Sequence, residues 1–177
     1  MDENKNPMRE ILVEKVTLNI GTGESGQKLE NAKTLLGLIS NREPVLTSAK
    51  VRNPVFKIKK GDKIGTKVTL RGKAAKDVLE RALKAVENTL QERSFDANGN
   101  FSFGVKEYID FPGVKYDPKI GIIGFDVCVT LRRRGARVAT RRHAKGKVGK
   151  AHKLTRDEGI AFVKGMNVKI EQGGTNV

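Results

Sequence analysis

Val55-Phe56-Lys57-Ile58-Lys59-Lys60-Gly61-Asp62-Lys63-Ile64-Gly65-Thr66-Lys67-Val68-Thr69-Leu70 is the stretch that separates the available folds. Val55 to Ile58 and Ile64 to Leu70 both have strand character, and Lys60-Gly61-Asp62 between them is a turn sequence, so the spacing predicts a β-hairpin. In the second arm Val68 and Leu70 share the inward face, while Lys67, Thr69 and the following Arg71 share the outward one. A hairpin makes antiparallel neighbours, whereas parallel strands need a long crossover, usually a helix.

Upstream, Ile11 to Ile20 alternates, with Leu12, Val16, Leu18 and Ile20 expected inward and Lys15, Thr17 and Asn19 outward. Ser25 to Ser40 carries Leu29, Ala32, Leu36 and Ile39 on a helical stripe that Asn41 and Pro44 would end. Downstream, Gly72 opens a helix expected to reach about Arg93, with Ala75, Val78, Leu79, Ala82, Val86 and Leu90 on one face. Asp96-Ala97-Asn98-Gly99-Asn100 is a turn cluster. Phe101, Phe103 and Val105 then alternate as a strand ended by Phe111-Pro112-Gly113, and Ile123, Phe125, Val127, Val129 and Leu131 form the next. Thr155-Arg156-Asp157-Glu158 has the form of a capping box opening a short helix to about Gly165, and Met166 to Glu171 adds a last strand.

The order is β-α-β-β-α-β-β-(basic arm)-α-β, so the expected class is α+β, a mainly antiparallel sheet with helices packed on one face. One domain is expected over residues 1–177, with a core at 7–131 and 155–171, a basic arm at 132–154 and flexible ends at 1–6 and 172–177.

The chain has 177 residues, and its 35 Lys and Arg against 20 Asp and Glu leave a formal net charge of +15. The charge is uneven. Eleven of those cations lie between Leu131 and Arg156, where there is no acid: Arg132, Arg133, Arg134, Arg137, Arg141, Arg142, Lys145, Lys147, Lys150, Lys153 and Arg156. Such a block repels itself and is expected to stay extended or disordered until a polyanion neutralises it, which points to a nucleic acid. The lone Cys128 excludes an intramolecular disulfide and a multi-cysteine zinc site, and fits a reducing compartment. Apolar runs fall far short of the roughly 20 residues of a membrane helix, and Met1 to Glu10 is unlike a signal peptide, so a cytoplasmic protein with no membrane partner is expected.

Gly21-Thr22-Gly23-Glu24-Ser25-Gly26 is a literal G-x-G-x-x-G after a strand and before a helix. Glu24 would stand beside anionic phosphates, Glu43 is misplaced for a ribose-binding acid, and no further β-α units follow, so a sharp turn is expected and no cofactor. His143 and His152 lie in the basic arm without a neighbouring carboxylate to orient them as bases. Cys128 has no adjacent base, and Asp110, Asp117 and Asp126 follow no ligand-spacing rule, so neither catalysis nor a metal is expected.

The basic residues group instead. Lys15, Lys67 and Arg71 fall on the outer sheet face with Thr17, Asn19 and Thr69, and the expected hairpin tip carries Lys57, Lys59, Lys60 and Lys63. Phe56 is placed either in the core or against an unpaired base.

Several separated blocks carry a resemblance: Asn6-Pro7-Met8-Arg9, Val13-Glu14-Lys15-Val16-Thr17-Leu18-Asn19-Ile20-Gly21, Phe56-Lys57-Ile58 with Gly61, Ile64-Gly65-Thr66-Lys67-Val68-Thr69-Leu70-Arg71-Gly72, and Gly99-Asn100-Phe101 with Gly104 and Phe111-Pro112. From about Asn6 to Arg156 the chain resembles the family of the universal ribosomal protein number five of the large subunit. Its arm, Arg132 to Lys153, resembles the archaeal and eukaryotic branch, and the archaeal type in particular.

The resemblance implies a non-enzymatic structural protein that binds 5S rRNA and helps attach it to the central protuberance. It implies 5S contacts at Asn19, Phe56 and Thr69, to which Arg42, Lys67 and Arg71 are added as neighbouring cations. It also implies that the loop with Lys57, Lys59, Lys60, Gly61 and Lys63 approaches P-site tRNA, with Asp62 interrupting its positive charge. The implied partners extend to large-subunit rRNA, met through arm phosphate contacts at Arg132, Arg133, Arg134, Arg137, Arg141, Arg142, Lys145, Lys147, Lys150 and Lys153. They also include other ribosomal proteins of the central protuberance and a small-subunit head protein across an intersubunit bridge, around a monomer within the ribosome. Two other readings compete. One is a general RNA chaperone acting through the arm alone, and the other is a nucleotide-dependent enzyme using Gly21 to Gly26.

Overall fold

A computed structural model describes residues 6–171, so the expected flexible ends, apart from Asn6, lie outside the described residues. β1 (Ile11–Gly21) is the central strand, flanked on one side by β3 (Lys63–Leu70) and then β2 (Val45–Ser48), and on the other by β6 (Phe125–Arg133) and then β5 (Phe101–Val105). Every pairing in this five-stranded sheet is antiparallel. α1 (Gln27–Ser40) and α2 (Lys73–Ala85) lie on one face and bury Leu35, Leu36, Ile39, Val78 and Leu79 against Val16, Leu18, Val68, Leu70, Val127 and Val129. Each large aliphatic side chain buried there contributes about 1.5–3 kcal/mol. The opposite face carries no α-helix among the residues lining its depressions, only the 3-10 turn Glu92–Ser94 at its β5 edge, and Lys67, Thr69, Ser102, Asp126 and Cys128 on it are exposed. The α+β class and its antiparallel sheet are therefore as the hairpin reading predicts.

Capping chemistry sets two helix ends where the sequence places them. Asn41, in the left-handed region at φ 50°, closes α1 with its N–H donating to Gly37 O. Thr155 and Glu158 form the reciprocal capping box of α3 (Arg156–Lys164).

Four local expectations are corrected. The first arm of the hairpin is Val45–Ser48, and Val55 to Ile58 belongs to the connection. The Asn53 side chain accepts from Val55 N, Pro54 follows, and Lys57 has a positive φ, so that segment turns instead of extending.

In β1, Leu12 does not join the core; Ile11 and Val13 do. The pairing passes from Val13↔Leu131 to Lys15↔Thr130, which leaves Glu14 as a bulge. One extra residue reverses the inward set on its N-terminal side.

The second helix ends at Ala85, before the expected Arg93. Glu87 and Asn88 both take positive φ, and Leu90 is buried from the short strand β4 (Thr89–Gln91). The last strand, β7 (Lys169–Glu171), pairs in parallel with β4 and makes a separate two-stranded sheet. Two short strands far apart in sequence satisfy each other, which local periodicity cannot show.

The arm also departs from the extended form. β6 runs into it as far as Arg133, a short turn of 3-10 helix follows at Ala136–Ala139, and a second forms at Lys150–His152. Gly146 N donates to Val138 O, the His152 ring bonds Arg134 O at 2.8 Å, and Leu154 is buried in the core. Acids from outside the segment make this possible. Arg132 meets Glu14, Arg134 meets Glu10 at 2.7 Å, and Arg133, 8% exposed, meets Glu158.

Candidate nucleic-acid interface

The face opposite α1 and α2 is assembled by register. Asn19 stands opposite Lys67 and Thr17 opposite Thr69 across β1 and β3, while Thr17 and Asn19 also face Cys128 and Asp126 across β1 and β6. The α1–β2 loop adds Arg42, which shares a shallow depression with Lys67 and Thr69. A second depression unites Asn19 and Thr17 with Ser102, Asp126 and Arg93. Four of the expected 5S-binding residues, Asn19, Arg42, Lys67 and Thr69, are thus gathered around one open surface.

Arg71 follows β3 directly, with Nη1 3.5 Å from Glu14 Oε1, and Arg132 Nη1 approaches the same oxygen at 3.1 Å. The carboxylate at the bulge thereby holds one cation on β6 and one just past the end of β3. Glu14 plays no part in the sequence-level site, because its role depends on a bulge that alternation hides. Ser102, Asp126 and Arg93 are likewise absent from that set. The alternation of β5 and β6 marks the first two as outward, but only strand pairing puts them beside Asn19.

The face is electrostatically divided. Arg42, Lys67 and Arg71 make its β2–β3 side positive, whereas Asp126 on β6 offers an acceptor. Cys128 beside it is exposed, and partial burial followed by the Asp126 charge holds its thiol above the ordinary pKa. That keeps the sulfur in its less reactive thiol form.

Phe56 is not on this face. It projects from the β2–β3 connection at 69% exposure, next to Val55 at 84%, which removes the core alternative for its ring. The connection is closed at its base by Ala49 N to Asp62 O and Gly61 N to Ala49 O, and in its middle by the Asn53–Ile58 bridge. Its tip is therefore Pro54-Val55-Phe56-Lys57, three apolar residues followed by a cation, and not Lys60-Gly61-Asp62. Asp62 accepts from Lys59 N at 2.7 Å, and Lys63 Nζ donates to Ser48 Oγ at 2.9 Å, so Lys59, Lys60, Gly61 and Lys63 line the neck below the tip.

In the arm, Arg137, Arg141, Arg142, Lys145, Lys147, Lys150 and Lys153 are exposed and form no ion pair among the described residues. Arg132, Arg133 and Arg134 are paired with Glu14, Glu158 and Glu10, with Arg133 buried and Arg134 exposed at the surface. The expected row of ten phosphate-contacting cations divides into seven without an ion pair and three, Arg132, Arg133 and Arg134, that pair with acids outside the arm.

Gly21 to Gly26 is a strand-to-helix turn in which Thr22 Oγ1 donates to Glu24 O and Ile64 O. Gly26 caps α1 at φ 136°, and Glu24 meets Lys28 at 2.6 Å. The hydrogen bond and charge of Lys28 lower the Glu24 pKa, so a carboxylate stands at the helix entrance where a phosphate would have to lie.

An α+β scaffold with one uncovered polar face, a projecting loop with a lysine-rich neck and a folded cationic arm defines a protein shaped to lie against a polyanion. Comparison with known proteins gives the particular family. The family model described as ribosomal protein L5 matches residues 6–59, and the model for the C-terminus of that ribosomal family matches residues 63–162. The chain belongs to the ribosomal protein L5 family.

Among its relatives is the large ribosomal subunit protein uL5 of Archaeoglobus fulgidus, 46% identical over 168 residues, covering 95% of this chain and 94% of the relative. The protein of the same description from Methanococcoides burtonii is 50% identical over 159 residues, covering 90% of this chain and 94% of its own. That of Sulfurisphaera tokodaii is 46% identical over 170 residues, covering 95% and 96%. All three organisms are archaea, in keeping with the archaeal character of the arm.

Proposed function

We propose that this chain is a structural, non-enzymatic protein of the large ribosomal subunit in the cytoplasm, and that it binds 5S rRNA through the open sheet face and helps attach it at the central protuberance. The observation that carries this reading is the apposition of Asn19 with Lys67 and Thr17 with Thr69 on a face without helix cover, with Arg42 at its edge. Lys67, Arg42 and Arg71 meet phosphates. Asn19, Thr17 and Thr69 donate to or accept from riboses and bases, and Asp126 accepts from a 2′-hydroxyl or an exocyclic amine.

The β2–β3 connection, with Lys57 at its tip and Lys59, Lys60, Gly61 and Lys63 at its neck, reaches P-site tRNA, while the exposed Phe56 ring stacks on an unpaired base of 5S rRNA. The arm cations neutralise large-subunit rRNA, led by the seven without an ion pair and joined by Arg132, Arg133 and Arg134 where RNA competes for their carboxylate partners. Other ribosomal proteins of the central protuberance and a small-subunit head protein are the neighbours in this reading, around a single copy of the chain.

The test is a salt titration of binding to the organism's own 5S rRNA against a tRNA or duplex competitor of similar charge. Counterion release makes the logarithm of affinity fall linearly with that of salt, by about 0.7–0.9 per phosphate neutralised. A preference for 5S rRNA that survives rising salt supports recognition of shape. Absence of preference at every salt concentration would leave charge alone and favour the chaperone reading.

A further inference from the structure

The folded arm does more than display charge, because it lines an open cleft against the end of the sheet. The cleft has a volume of about 710 Å³, within the roughly 300–1,000 Å³ of pockets that hold small ligands. Its apolar lining comes from Leu131, Ala136, Ala139, Val148 and Leu154, and its mouth carries Lys145, Lys147, Lys150 and Lys153. Those four lysines are exposed and form no ion pair among the described residues.

One wall is the Arg132 guanidinium, held by Glu14 Oε1 at 3.1 Å. A planar cation fixed in this way presents a stacking surface. Asn98 also lines the cleft, and its side-chain amide makes no hydrogen bond among the described residues, leaving a donor and an acceptor for a polar edge.

We propose that this cleft receives one unpaired RNA nucleotide turned out of its strand, with the base against the aliphatic floor and the Arg132 plane, and the flanking phosphates on the lysine rim. Charge complementarity selects the occupant. An apolar floor alone would suit a protein side chain, but a ring of four uncompensated lysines around it disfavours most peptides and matches a base carried between two phosphates. The inference rests on the reading of this chain as an RNA-binding protein and assigns the arm a base-dependent contact in addition to its phosphate contacts. Arg133 and Leu154, both buried, fix the arm so that the cleft exists before RNA arrives.

The experiment compares hexauridylate with an abasic ribose-phosphate hexamer of the same length and charge, using the full chain. The wild-type chain is expected to bind the base-bearing hexamer about tenfold more tightly, in the lower part of the range that one stacked base contributes. Ala139→Leu, which narrows the cleft, is expected to abolish that difference while the abasic hexamer binds as before. Equal binding of the two hexamers to the wild-type chain overturns the proposal and leaves the cleft as a phosphate contact or a protein-docking site.

Photocrosslinking of the wild-type chain with a hexamer containing 4-thiouridine keeps the question open to decision if Ala139→Leu does not fold. Adducts within residues 131–154 are the expected result, and adducts confined to β1 and β3 would overturn it. Selective binding of 5S rRNA is measured separately in the same preparation. Its loss would defeat the broader reading, whereas its retention with base-independent hexamer binding would defeat only this one.

Discussion

Gly159 of α3 packs backbone to backbone against Gly99 of the turn before β5, so close that a Cβ on Gly159 would stand 2.7 Å from Gly99 Cα. Gly99 itself has φ +73° and lies under Thr155 O, where an added Cβ would be 2.7 Å away. This contact docks the helix that follows the arm onto the main sheet. Alanine at 159 would favour an isolated helix by about 1 kcal/mol, but neither backbone can yield, and overpacking costs about 1–3 kcal/mol. Gly159→Ala is therefore expected to lower stability by a net ~1 kcal/mol or more, read as a lower urea midpoint with an unchanged m-value.

The Arg133–Glu158 pair fastens the arm to the same helix. Glu158→Gln keeps a side chain able to complete the capping box but leaves the buried Arg133 without its counter-charge, with an expected loss of about 2 kcal/mol. Adding Arg133→Met to that variant should restore part of the loss, because the buried charge is then removed. A double-mutant cycle by urea denaturation measures this, and strictly additive losses would show that the pair does not act as a unit.

The sheet face and the β2–β3 connection should separate by function. Asn19→Ala with Thr69→Ala is expected to weaken 5S rRNA binding about tenfold or more, at roughly 1 kcal/mol or somewhat less for each hydrogen-bonding group lost. Lys57→Ala with Lys60→Ala should leave 5S affinity unchanged within twofold and weaken tRNA positioning in reconstituted subunits. Equal 5S affinities for the two double variants would refute the division.

Cys128 reports on the open face. Partial burial, and then Asp126, raise its pKa, so the thiolate fraction near neutral pH is smaller than for a free cysteine and alkylation should be slow, rising only above the ordinary thiol range. Asp126→Asn removes the like-charge contribution and should speed iodoacetamide labelling at a fixed mildly alkaline pH. Bound 5S rRNA should protect Cys128, and unchanged labelling in a saturated complex would place the RNA elsewhere.

Alternation along β1, β3, β5 and β6, the cap at Asn41 and the capping box at Thr155 were legible in the sequence because each depends on residues within a turn or two of each other. The α+β class, the outward set Thr17, Asn19, Lys67 and Thr69, and the family resemblance followed from them.

What the tertiary structure decided depends on residues distant in the chain. Leu90 belongs to a helical stripe by spacing, yet it pairs as a strand with Ile170, and no local pattern announces that partner. Glu14 becomes the clamp for Arg71 and Arg132 because a bulge moves it out of alternation, which appears only when β1 is laid against β6. The arm contains no acid and reads as self-repelling, but Glu10, Glu14 and Glu158 reach it through space and fold it over a cleft. Periodicity and caps are short-range and are written residue by residue, whereas charge compensation and strand partnership are pairwise in space and exist only once the chain has closed on itself.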